Sequence, residues 1–320
     1  MKIGVTVAQQ ATLDATLAGF EQAEELGLHS AWFSQPPQGF DALTVLALAA
    51  GRTRRIRLGT AVIPAYPSHP VVTARAVATV AAAAPGRVIL GVSSGHRTWI
   101  ENNYGMRFDR PVRHMAEWIA TVRRLLLGQA LTASDNAFGI TAPGSSDKTE
   151  VPIVLAATGP QLLEVAGRIA DGVLTWMCDE RYLGEVVLPA VARGAAQAGR
   201  QAPEVTAGML ICLSDDAQRA RATLQPRLAP LASYQSYRAV LARGVPVPRE
   251  PSDLVIIGAE VGVRAALGRL NRAGVGELVA VVLPDPAEPA KSAQRAHRLL
   301  AELAARDPQA AGPSGEGAGW

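Results

Sequence analysis

A chain of 320 residues, 48% hydrophobic and 18% charged, can bury a sizeable core as one large domain or two ordinary ones. Its net charge of +3 and pI near 9.1 come almost wholly from arginine, with lysine only at Lys2, Lys148 and Lys291. No Lys/Arg block is long enough to argue for nucleic acid, no apolar run reaches the ~20 residues of a membrane span, and two cysteines, Cys178 and Cys212, exclude a disulfide framework.

The chain opens as MKIGVTVA, directly into a strand-like run at Ile3–Val7 with no signal-peptide pattern, so a cytoplasmic protein is expected. Leu13–Leu26 reads as a helix ended by Gly27. Ser30–Phe33 is the second strand, and Phe40–Ala50 a helix ended by Gly51. Ile56–Ile63 is the third strand and Val71–Ala84 a helix. Arg87–Val92 is the fourth strand, followed by a long helix from about Pro111 to Leu127. The polar stretch Ala130–Glu150 reads as a surface excursion. Ile153–Ala157, Gly172–Trp176, Val205–Leu213 and Leu278–Leu283 are strands five to eight, with a helix at Gln161–Ala170. Between strands seven and eight, Ala217–Asp253 holds a helix and an irregular patch, Gly244-Val245-Pro246-Val247-Pro248.

Each predicted strand is short and nearly all apolar, as expected of a parallel sheet buried on both faces. Eight of them alternating with helices favour an α/β fold, a (β/α)8 TIM barrel with insertion segments. A doubly wound open sheet is the alternative, but no G-x-G-x-x-G follows the first strand. One barrel domain is expected over 1–306, with a disordered Gly/Pro/Ala-rich tail over 307–320.

In a barrel the active site lies where the strands end. After strand five, Thr158-Gly159-Pro160 turns into a helix. Proline at the first helical position fixes φ and gives up no needed N–H. The next amides, at Gln161 and Leu162, point outward with the helix dipole behind them, and Gly159 permits close approach. A phosphate fits there, although an ordinary strand-to-helix turn has the same spacing. After strand four, Ser93, Ser94 and Gly95 offer hydroxyls and open backbone, and His96 titrates in the range needed for proton transfer. Arg97 suits a carboxylate or phosphate. A surface or capping role for His96 is the alternative, and His69, just before Pro70, reads more readily as a helix cap. His114 reads as helix packing, and His29 and His297 as peripheral. Tyr234, Tyr237 and Arg238 are candidates for shaping a substrate pocket or are exposed helix residues. No metal-binding pattern, nucleophile elbow or Walker lysine occurs, so the bound cofactor is expected to carry the hard chemistry.

Several segments carry a family resemblance. They are MKIGV, AEELGLHSAWFSQ, RIRLGTAVIPAYPSHPVVTARAVATV, GRVILGVSSGHRTWIENNYGMRFDRPVRHMAEWIATVRRLL, VPIVLAATGPQLLEVAGRIADGVLTWM and IIGAEVGVRAALGRLNRAGVGELV, spanning about residues 1–284. The chain resembles the luciferase-like monooxygenase superfamily, in the branch of coenzyme F-420 (deazaflavin)-dependent oxidoreductases similar to methylene-tetrahydromethanopterin reductase. The resemblance implies a (β/α)8 barrel with a flavin-type ring across its mouth and a non-proline cis peptide near Ala61-Val62. It implies a cofactor phosphate at Thr158-Gly159 and the following helix start, with Ser93 and Ser94 near the ring or the ribityl chain. From their places at the strand ends, Gly95, Pro160, Gln161, Arg97 and Trp176 are added as cofactor contacts, and His96, or a bound water, is expected to give the proton. It further implies a small-molecule substrate and a homodimer. Some members carry a histidine after strand two and a glutamate after strand four; here those places hold Gln35 or Pro36, and His96. That substitution favours a reductase, delivering hydride to a C=C or C=N bond, over an alcohol dehydrogenase. An FMN-dependent monooxygenase and a non-catalytic ligand-binding barrel are the rival readings.

Overall fold

The computed structural model describes residues 1–242 and 249–306. Its strands, in chain order, are β1 (Lys2–Val7), β2 (Ser30–Phe33), β3 (Arg57–Thr60), β4 (Ile63–Pro64), β5 (Val88–Ser93), β6 (Ile153–Ala156), β7 (Gly172–Trp176), β8 (Glu204–Leu213), β9 (Ile256–Gly258) and β10 (Glu277–Val282). All pair in parallel, in the order β10-β1-β2-β3-β5-β6-β7-β8, and β8 returns to β10 to close the ring. The result is a closed eight-stranded parallel barrel wrapped by helices, as the alternating apolar runs predict. The short strands β4 and β9 stand outside the ring, β4 beside β5 and β9 beside the far end of β8.

Side chains pointing into the barrel come from alternate strand positions. Trp32, Ile89, Val154, Leu174 and Val279 form this inner layer, with Ala61, Val62 and Ala156 packed on it. Polar groups sit near the strand starts. The Trp32 indole donates to the Ser30 hydroxyl at 2.7 Å, and Ser30 in turn donates to the Glu277 carboxylate. Glu277 is 2% exposed. Burial raises its pKa, only partly offset by the Ser30 hydrogen bond and by Arg57.

Three predicted elements are corrected. The helix placed at Phe40–Ala50 runs over Ala42–Arg52, because the Asp41 carboxylate caps it by accepting from the Thr44 amide at 2.8 Å. The third strand is not continuous to Ile63: it breaks after Thr60 and resumes as β4. The stretch after Ser93 is not all loop, since Arg97–Tyr104 is a helix closed by Gly105 in the left-handed region. Its polar residues give it no apolar stripe to read. The Gly244–Pro248 patch and the tail 307–320 lie outside the described residues.

Candidate active site

The sheet order sets the site. The C-terminal ends of β3, β5, β6 and β7 are consecutive around the ring. Ala61-Val62, Ser93–His96, Thr158–Gln161 and Trp176 therefore share one side of the barrel mouth, although they are scattered over more than a hundred residues of sequence.

At the end of β3 the Ala61–Val62 peptide is cis, at the position the resemblance implied. The Ala61 amide donates to the Phe33 carbonyl at 2.7 Å, which anchors the break to β2. Across the barrel wall, the Thr60 hydroxyl donates to the Gly91 carbonyl at 2.7 Å and accepts from the Gly91 amide at 2.9 Å. A Cβ on Gly91 would lie 1.9 Å from the Thr60 carbonyl oxygen, so only glycine admits this approach. Thr60 and Gly91 thus brace the strand break, a pair that the sequence alone did not single out. A glycine inside an apolar strand, facing a strand that breaks, was the available signal.

At the end of β5 the Ser93 hydroxyl accepts from the Gly95 amide at 3.1 Å. Gly95, at φ 73°, swings the chain into the Arg97–Tyr104 helix. His96 is the N-cap residue of that helix, but its side chain makes no capping hydrogen bond. The imidazole is held by rings instead. Tyr234 stacks on it at 4.2 Å between centroids and 28° between planes, and Trp99 meets it edge-on at 5.1 Å. Burial lowers the His96 pKa below its ordinary value, so near neutral pH the ring is uncharged, with nitrogens able to donate or accept. Arg97 is used along its own helix. Its guanidinium pairs with Glu101 at 2.7 Å and lies 5.0 Å from the Phe108 ring centroid.

At the end of β6 Gly159 is the N-cap of the Pro160–Ile169 helix, with no side-chain cap. The Leu163 amide bonds back to the Gly159 carbonyl at 3.0 Å, while those of Gln161 and Leu162 have no acceptor among the described residues. A Cβ built on Gly159 meets nothing within 4 Å. The turn thus has open space above a glycine and a helix dipole behind it. The Thr158 carbonyl is fixed from outside by the buried Tyr182 hydroxyl, at 3.0 Å.

Trp176, at the end of β7, lies flat against the backbone of β8, where a Cβ on Gly208 would sit 2.6 Å from the indole. Tyr237, carried on the Gln235–Leu241 helix, faces it. Burial pushes the Tyr237 hydroxyl pKa up, with Trp176 as a hydrogen-bonding offset. The segment between β8 and β9 thus brings Tyr234 and Tyr237 to the mouth, whereas Arg238 is exposed. Arg249 ties the same segment down by pairing with Asp179 and donating to the Val240 carbonyl at 3.0 Å. Trp99 was not foreseen. Its indole donates to the Tyr234 hydroxyl at 3.1 Å across 135 residues of sequence, and no local pattern signals that contact.

The remaining candidates take structural positions. The Gln35 side chain accepts from the Ala42 amide at 2.6 Å and so caps a helix. His69 occupies the N-cap position of the Pro70–Ala83 helix, without a side-chain capping hydrogen bond. His114 stacks on Tyr66 at 4.0 Å, as helix packing. Among the described residues no cluster of three His, Cys, Asp or Glu side chains is placed to hold a metal ion.

Comparison with known proteins agrees with the barrel fold and identifies the family. A sequence model of the family described as luciferase-like monooxygenase matches residues 1–252. A 5,10-methylenetetrahydromethanopterin reductase of Methanolobus tindarius is 30% identical over 62% of this chain, and the match spans 61% of that protein's length. An F-420-dependent glucose-6-phosphate dehydrogenase of Kineococcus radiotolerans is 31% identical over 80% of this chain and 81% of its own. Among solved structures, an F-420-dependent secondary alcohol dehydrogenase in complex with an F-420–acetone adduct superposes with a TM-score of 0.78. That match covers 96% of this chain and 99% of the other at 20% identity, a likeness of fold.

Proposed function

The chain belongs to the luciferase-like monooxygenase family, and on that premise we propose that it is a coenzyme F-420-dependent oxidoreductase of the reductase type. When bound, the reduced deazaflavin supplies a hydride, here to a C=C or C=N bond of a small organic substrate. The observation that carries the reading is the anion cradle: the unpaired Gln161 and Leu162 amides at the Gly159 turn, beside the broken strand at Ala61-Val62. Those amides would hold the cofactor phosphate, with Thr158 and Pro160 shaping the turn, and Ala61, Val62, Ser93, Ser94, Gly95, Arg97 and Trp176 would line the rest of its site. The His96 imidazole hydrogen-bonds the acceptor, and its protonated form, or a bound water beside it, gives the proton that balances the hydride. The Tyr234–Leu241 stretch keeps water from the mouth.

Titration of the purified chain with F-420 and, separately, with FMN tests this reading. We expect tight F-420 binding and weak FMN binding. Tight FMN binding without F-420 binding overturns the cofactor assignment in favour of an FMN-dependent monooxygenase. A folded chain that binds neither supports a ligand-binding barrel without chemistry.

The same proposal treats residues 1–306 as one barrel domain acting in the cytoplasm; no helix among the described residues is long and apolar enough to cross a membrane. It includes a homodimer. In support, a groove of about 550 Å³ runs between the Ala42–Arg52 and Pro70–Ala83 helices, and nearby Leu48 and Val72 are 44% and 65% exposed. Sedimentation should give twice the 33.5 kDa chain mass, and Leu48→Asp with Val72→Asp should restore the monomer; a wild-type monomer would exclude the dimer.

A further inference from the structure

We propose that Tyr234 is a positioning residue for His96: its ring, delivered by the segment between β8 and β9, clamps the imidazole at the barrel mouth in place of the carboxylate or carbonyl that usually orients a working histidine. This rests on the reading of His96 as the proton donor.

The geometry is that of a stack with a fastened outer ring. His96 and Tyr234 are nearly parallel, 4.2 Å apart. Trp99, on the turn after His96, abuts the imidazole edge at 5.1 Å and donates its indole N–H to the Tyr234 hydroxyl at 3.1 Å. The three rings close a triangle, in which Trp99 holds Tyr234 and Tyr234 holds His96. Tyr237 backs the group from 6.4 Å. Among the described residues no acidic side chain touches His96. The charged residues on its own helix, Arg97 and Glu101, pair with each other, and Arg238 on the facing helix is exposed. Burial is the one cause that moves the His96 titration, and no charged neighbour contributes to it. A histidine oriented by a carboxylate would be pushed toward the charged form. A stack leaves both ring nitrogens unused and favours the neutral form, because the stacked ring displaces water without offering a countercharge.

Tyr234 therefore controls two properties at once, the angle of the imidazole and its protonation. If the Tyr234 segment lifts away, His96 becomes hydrated and more basic.

The test is a histidine-detected NMR titration of the full-length chain, with the His96 resonance identified from its loss in His96→Gln. In wild type it should titrate below the ordinary histidine value. Tyr234→Phe, which keeps the ring but loses the Trp99 hydrogen bond, should move the His96 midpoint up only part of the way. Tyr234→Leu should move the His96 midpoint up toward the ordinary value while His69, His114 and His297 stay in place. Trp99→Phe, which removes only the tether, should move it part of the way. An unmoved His96 midpoint in a folded Tyr234→Leu protein overturns the proposal, as does an equal shift of all the histidines. If Tyr234→Leu fails to fold, Trp99→Phe decides alone. Turnover separates this claim from the one beneath it. Should His96→Gln retain full activity while Tyr234→Leu still shifts the His96 midpoint, the catalytic reading of His96 fails and the positioning stands. Should His96→Gln lose activity with no midpoint shift in Tyr234→Leu, the reverse holds.

Discussion

The Thr60 hydroxyl and the Gly91 peptide exchange two hydrogen bonds, at 2.7 and 2.9 Å, at the point where the third strand breaks. Both groups are buried, so each would be left without a partner if the other were lost. Thr60→Val keeps the volume and removes the hydroxyl, exposing a buried amide to an apolar neighbour. We expect it to cost about 1–3 kcal/mol in urea unfolding. Gly91→Ala drives a methyl group into the Thr60 carbonyl, at 1.9 Å, and should cost about 3 kcal/mol or prevent folding. Wild-type stability in both variants would show that the wall of the mouth does not depend on this pair.

At the cradle, Gly159→Ala should leave the unfolding midpoint unchanged, because its Cβ meets nothing within 4 Å. Gly159→Asp adds a negative charge where the anion belongs. It should raise the Kd for the cofactor by at least tenfold, or about 1.4 kcal/mol. Thermal unfolding of Gly159→Ala and calorimetric titration of Gly159→Asp read the two effects, and undiminished affinity in Gly159→Asp would move the phosphate elsewhere.

His96→Ala should fold and bind cofactor normally but turn over about 10²–10⁴-fold more slowly, the usual worth of a positioned acid or base. A steady-state assay with an unchanged rate would remove His96 from the chemistry.

Glu277 predicts a pH dependence of stability. Its folded pKa is raised by burial, so between the unfolded value and the folded one the native state binds a proton that the unfolded state has lost. The stability this contributes is present at low pH and falls as pH rises through that window, by about 1.4 kcal/mol per pH unit. Glu277→Gln mimics the protonated acid and lacks this slope. Its stability relative to wild type should therefore grow as pH is raised from 4.5. The buried histidines act oppositely: His96, His114 and His297 have pKa values lowered by burial, so they destabilise the fold as pH falls below 6.5. They are common to both proteins and cancel in the difference. A pH-independent difference between Glu277→Gln and wild type would mean that the acid ionises freely in the barrel.

The barrel frame was legible because a strand buried on both faces must be written in apolar residues, and Gly172–Trp176 appears in the sequence with the bounds it has in the structure. The cradle was legible for a similar reason: Gly159-Pro160 marks a helix start, and main-chain amides follow wherever a helix begins. The location of the cis peptide came from family likeness, since nothing in Ala61-Val62 itself signals it. What stayed hidden was contact made at long range. Tyr234 lies 135 residues from Trp99, and its value depends on a ring arriving from across the barrel mouth. The Arg97–Tyr104 helix was missed because it is short and polar, held by Gly105 and one buried residue, Ile100, instead of an apolar stripe.

The cradle at Gly159 is built from peptide groups, and a peptide group cannot be mutated away. The roof opposite is built from the side chains of Trp99, Tyr234 and Tyr237, each open to replacement by a single codon change. If the cradle holds the cofactor as proposed, descendants of this gene can thus vary what they act on while inheriting the means of holding it. A library that randomises the three aromatic positions should retain cofactor affinity through most of its members, and an equal library at the backbone-crowded positions Gly91 and Gly208 should yield few folded ones.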